Sequence, residues 1–185
     1  MNDNKMKSPL SRFFMQMLFN QTSVSVIIFA LFMIVSGFSP DDTVSVVFMW
    51  VICAVGVVFF LVSSYNLAVS VGRRDYNLVK YGHIRQDLLK GLKAAALSQI
   101  PGGAVLIAML ILAGTGAGGF VQTMFLILYY HLAALQNVYA IFGVGAALAL
   151  FTGWIGYLNG FRQIDIWHKI MYKTPGKKDR DKRLR

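Results

Sequence analysis

Three histidines, one cysteine and eight aspartates, with no glutamate, make up the reactive inventory of the chain. Among them His131 lies in an uncharged apolar stretch, after Tyr129 and Tyr130 and before Gln136 and Asn137. An imidazole beside phenols and amides suits a proton-linked or ligand-contacting role. Tyr129, His131, Gln136 and Asn137 are therefore the candidate ligand or interface residues, with a plain interfacial histidine as the other reading. His83 and His168 lie on other segments, no two histidines stand at i, i+4, and neither HExxH nor CxxC occurs. No metal is expected. Without G-x-S-x-G, a P-loop or paired membrane carboxylates, the expectation is no catalytic residue, no cofactor and no enzyme. Cys53, in an apolar run, cannot form an internal disulfide and reads as a small buried residue.

The elements that must position these groups follow from charge. All 18 Lys and Arg fall in three clusters, residues 5–12, 73–93 and 162–185, with three, six and nine bases. Between the first two, residues 13–72 carry only Asp41 and Asp42; residues 94–161 carry no charged side chain. A bilayer imposes this pattern, because charge is expensive in hydrocarbon and Lys and Arg collect on the cytoplasmic side. The net charge of +10 is then juxtamembrane, attracted to anionic headgroups, and no nucleic-acid partner is expected. A cleaved signal peptide is disfavoured by the long amino-terminal region and the missing A-x-A site.

The pattern predicts an all-α polytopic membrane bundle with four transmembrane helices and amphipathic interfacial helices. Residues 1–21 form a cytoplasmic segment with an amphipathic lead-in, where Ser8 caps a helix opened by Pro9. Residues 22–160 form one membrane domain with spans at about 22–38, 44–69, 94–113 and 139–159, and residues 161–185 a basic cytoplasmic tail. Ser39 to Thr43 reads as an outer turn, and the glycine-rich residues 114–119 as an outer connection. The apolar stretch 120–161 is long enough for two spans. One span keeps all three basic clusters on one side, so residues 120–138 are expected to be an outer-surface or re-entrant segment; five spans with an outside tail is the alternative. Tyr81, Ile84, Leu88 and Leu92 recur at helical spacing within the loop 73–93 and predict an amphipathic helix in the headgroup plane. A similar short turn is expected at Ile164, Trp167, Ile170 and Met171.

Within the spans the signals are structural. Pro101 predicts a kink or a delayed start in the third span, with Gln99 placed to satisfy the freed backbone group. Ser63, Ser64 and Asn66 suit hydrogen bonds between helices. Gly153, Gly156 and Gly160 make a helix-packing surface, either within one chain or against a homodimer or subunit partner. Arg73, Arg74, Lys80, Arg85, Lys90 and Lys93 are the candidate docking residues for lipid headgroups or a protein partner.

The run GRRDYNLVKYGHI at 72–84, with KGLK at 90–93 and IP at 100–101, and GYLNG at 156–160, with KIMYK at 169–173, resemble small uncharacterised multi-pass membrane proteins of Gram-positive bacteria. The resemblance implies a bacterial plasma membrane protein and brings no activity or site residues. The substrate-binding subunits of energy-coupling-factor transporters are similar in length, charge and polytopic character. They have six helices and a small-residue motif in the first, whereas residues 24–31 here read VSVIIFAL. The reading is a multi-pass cell-membrane protein with both termini cytoplasmic. Its expected role is that of a non-enzymatic subunit, helper or regulator docking lipid or a partner through its basic face. The alternative is a small-molecule binding or transport component.

Overall fold

The structure, a computed structural model, describes residues 10–38, 42–112 and 115–164. Every regular element among them is helical: α1 (Leu10–Phe38), α2 (Asp42–Lys80), α3 (Lys90–Ile111), α4 (Gly118–Tyr129), a 3₁₀ segment (Tyr130–Leu135) and α5 (Val138–Phe161). Long apolar runs become helices because a helix satisfies its backbone groups within the segment, which hydrocarbon demands. The Ser8–Pro9 cap, the turn at 39–41, Gly114 and the tail from 165 lie outside the described residues.

Three layers of core fix the directions of α1, α2, α3 and α5. The first joins Phe13 and Met17 of α1, Ala68 and Val71 of α2, Ala94 and Ala95 of α3, and Tyr157 and Phe161 of α5. The middle layer holds Val24, Ile28, Phe60 and Ala149. The third holds Leu106, Phe125, Tyr129, Leu132 and Ile141. So α1 and α3 start, and α2 and α5 end, at one pole of the bundle. Helices α2 and α5 run parallel; α3 runs against both. Because α3 ends and α5 begins at the same far pole, α4 and the 3₁₀ segment enter and leave there, forming a hairpin that reaches the depth of the middle layer.

Five segments, rather than four, are long and apolar enough to cross a membrane: Leu10–Val35, Val46–Lys80, Lys90–Ile111, Gly118–Leu135 and Val138–Phe161. The added one lies on the stretch expected at the outer surface. Other boundaries also move. The lead-in and first span are one 29-residue helix. Helix α2, with 39 residues, is about 58 Å long at 1.5 Å per residue and projects well past a hydrocarbon core of about 30 Å. The third span starts at Lys90 rather than Ala94, and α3 continues through Pro101.

The amphipathic helix expected over Tyr81 to Leu92 is replaced by a loop over its first nine residues. Gly82, at φ +74°, stops α2. Its N–H donates to Val79 O at 3.0 Å, and His83 N donates to Leu78 O at 2.9 Å. This is the left-handed glycine cap that closes many helices. The loop then turns at Asp87, whose carboxylate accepts from Leu89 N at 3.0 Å and from Lys93 Nζ at 2.8 Å.

Candidate functional site

Small residues bring the helices close enough to enclose polar groups. A Cβ on Gly72 would run into Tyr157 O and lie 2.8 Å from Phe161 N; one on Gly160 would meet the Val69 carbonyl. One on Gly156 would lie 2.8 Å from Tyr65 O, and one on Gly153 2.8 Å from Ala95 Cβ. All three glycines of the packing surface thus face helices of the same chain. Backbone-to-backbone approach of this kind is how small residues hold membrane helices together.

Where these contacts end at the first pole, an ionic cluster is sealed. Asp75 is fully buried. Its Oδ2 accepts from Lys90 Nζ at 2.5 Å and from Tyr157 Oη at 3.2 Å. Arg74 Nε stands 3.9 Å from Oδ1. The cluster ties the end of α2, the start of α3 and the end of α5. Lys90, expected among the headgroup-docking bases, is turned inward onto this carboxylate and is 7% exposed. Arg74, Lys80, Arg85 and Lys93 are exposed and Arg73 half-buried at the same pole, together with exposed Arg12 and Arg162.

A second network holds the tip of the α4 hairpin. Tyr129 Oη donates to Gln99 Oε1 at 2.8 Å, and Gln99 Nε2 donates to Gln21 Oε1 at 3.0 Å. Gln99 therefore bonds across helices instead of serving the backbone near Pro101. Gln21 Nε2 and Ser25 Oγ both donate to Leu128 O, at 3.3 and 3.0 Å. That carbonyl belongs to the last turn of α4, whose acceptors have no partner within the helix. Side chains one turn apart on α1 supply what water cannot supply at this depth.

Ser25 Oγ also lies 2.8 Å from His131 Nδ1. With the serine proton on Leu128 O, the contact assigns the imidazole proton to Nδ1. His131 Nε2 is buried with no hydrogen-bond partner among the described residues, and its ring packs on Phe60 with centroids 4.9 Å apart. Cys53 is buried, with Sγ directed at Tyr130 O at 3.6 Å. Helices α1 and α2 are joined separately by Asn20 Nδ2, which donates to Ser63 Oγ at 3.1 Å and to Ser64 Oγ at 2.9 Å.

The four candidate ligand residues are not brought together. Tyr129 and His131 are enclosed, whereas Gln136 and Asn137 are exposed. Gln136 takes φ 58° to leave the 3₁₀ segment. Asn137 caps α5, its Oδ1 accepting from Tyr139 N at 3.0 Å and Ala140 N at 3.2 Å, a common role for asparagine at a helix start. Among the described residues no three His, Cys, Asp or Glu side chains gather as a metal ligand set. Sequence reading missed Asp75, Gln21 and Ser25. Their signals were an acid directly after two arginines and a polar i, i+4 pair on an apolar helix.

No protein-family model matches the chain, and no curated protein or solved structure is significantly similar to it.

Proposed function

We propose that this is a plasma-membrane protein crossing the bilayer four times, with both termini cytoplasmic and the α4 hairpin re-entering from the outer side. It acts without catalysis, as a subunit, helper or regulator whose basic cytoplasmic face docks anionic lipid or a partner protein. One observation carries the reading: the exposed bases Arg74, Lys80, Arg85 and Lys93 share a pole with Arg12 and Arg162. The antiparallel α3 and α5 support a four-crossing path, which would put that pole on the side that Lys and Arg favour. The likeness to Gram-positive membrane proteins supports the bacterial setting. A small-molecule binding or transport component is the second reading, favoured by the enclosed, unpartnered Nε2 of His131.

The test replaces Arg74, Lys80, Arg85 and Lys93 with Gln together. Juxtamembrane bases attract anionic lipid at about 1 kcal/mol each. The wild-type protein is expected to co-purify with lipid enriched in anionic headgroups relative to its membrane, and the variant to lose most of that enrichment while remaining folded. An unchanged lipid profile with loss of a stoichiometric subunit would assign the docking to protein. No change in either would overturn the proposal.

A further inference from the structure

We propose that the groove between α1 and α2 binds one anionic phospholipid of the cytoplasmic leaflet, with its phosphate at Arg12 and Gln16 and an acyl chain along Ile27 and Phe59. The groove has a volume of about 590 Å³ and opens sideways from the bundle. Its α1 wall, lined also by Met15, Phe19 and Val24, carries a stripe of Arg12, Gln16, Asn20, Ser23 and Ile27, at the i, i+4, i+8, i+11 and i+15 spacing of one helix face. Polarity falls along the stripe from a cation, through two amides and a hydroxyl, to hydrocarbon. The stripe covers about 22 Å at 1.5 Å per residue. A phospholipid has the same order of groups: a phosphate, ester carbonyls and an alkyl chain.

Charge complementarity points to an anionic headgroup. Arg12, Gln16 and Ser23 make no hydrogen bond or ion pair among the described residues. The two carboxylates described at this pole are occupied by other bases, Asp75 by Lys90 and Asp87 by Lys93. Asn20 donates its amide to Ser63 and Ser64 and so forms the floor at the level where the polar wall gives way to the apolar one. An arginine matches phosphate oxygens in a planar, two-pronged contact. Below it Ile27 and Phe59, both about half exposed, offer an apolar trough that a chain fills with dispersion contacts. The assignment of leaflet rests on the four-crossing reading; the chemistry of the site does not.

The experiment uses the full chain in nanodiscs containing phosphatidylglycerol and phosphatidylcholine, released for native mass spectrometry. One phosphatidylglycerol should be retained in preference to phosphatidylcholine. This adduct should persist in the four-base variant described above, which separates it from the basic face. Arg12→Gln should weaken retention about fivefold, the equivalent of about 1 kcal/mol per base. Ser23→Phe, which fills the trough without touching the headgroup residues, should abolish the adduct. Equal retention of the two lipids, or an adduct unchanged in both variants, would overturn the proposal. So would a photo-crosslinker at Ile27 that captures, in cells, a protein helix rather than lipid.

Discussion

Asp75→Ala is expected to destabilise the protein by about 3–5 kcal/mol, the cost of leaving a buried ionic partner uncompensated. Lys90 would keep its charge at a site where it is 7% exposed, and Tyr157 Oη would lose its acceptor. The loss falls on three helix ends at once, since the cluster joins α2, α3 and α5. The double variant Asp75→Ala, Lys90→Met is expected to recover most of it, because an apolar pair at a buried site is often as stable as the ion pair it replaces. Equilibrium unfolding of the purified protein in one detergent or nanodisc composition measures both. If the two single substitutions add without coupling, the cluster is not the clamp described.

Gly160→Ala and Gly143→Ala are expected to act in opposite directions. A Cβ at Gly160 would meet the carbonyl group of Val69, which is backbone and cannot swing aside. Helices α2 and α5 would have to separate, at about 1–3 kcal/mol for an overpacked contact. Gly143 has nothing within 4 Å of the same position. There the exchange removes an entropic penalty of roughly 0.5–1 kcal/mol that glycine carries inside a helix. The exchange is the same at the two positions, and the contact with the Val69 backbone sets Gly160 apart. Equal effects on the unfolding midpoint would place the α2–α5 interface elsewhere.

How far such features can be read from sequence depends on the range of the force behind them. The partition of 18 bases into three clusters is a bilayer-scale effect, and it revealed the apolar helices without any knowledge of contacts. Ser63 and Ser64 were legible as interhelical donors or acceptors because a hydroxyl in hydrocarbon needs a partner; Asn20 provides it. The loop after α2 reads as an amphipathic helix because apolar spacing through Tyr81, Ile84 and Leu88 outweighs one local stop signal, Gly82. Lys90 was misread because nothing in one dimension says that a base at the start of α3 faces Asp75 fifteen residues earlier.

From sequence alone Gln99 reads as a partner for the backbone beside Pro101, for the same reason. Its partners, Gln21 and Tyr129, come from α1 and α4, and only the folded arrangement brings them near. Tyr129 and His131 were singled out as polar residues in an apolar stretch, and they do lie in a buried network. Gln136 and Asn137 shared the sequence neighbourhood but not the site, since the chain leaves the interior at Leu135 and Asn137 is used to start α5.

The direction of the α4 hairpin bears most directly on the account, and cysteine labelling reads it. In a Cys53→Ala background, single cysteines replace Arg85, Thr115 or Gln136, all exposed, and intact cells are treated with a membrane-impermeant maleimide. Positions 115 and 136 should both react, and position 85 only after permeabilisation. Reaction at 115 without reaction at 136 would mean that the segment between them crosses the membrane, which contradicts the hairpin and the shared basic pole together.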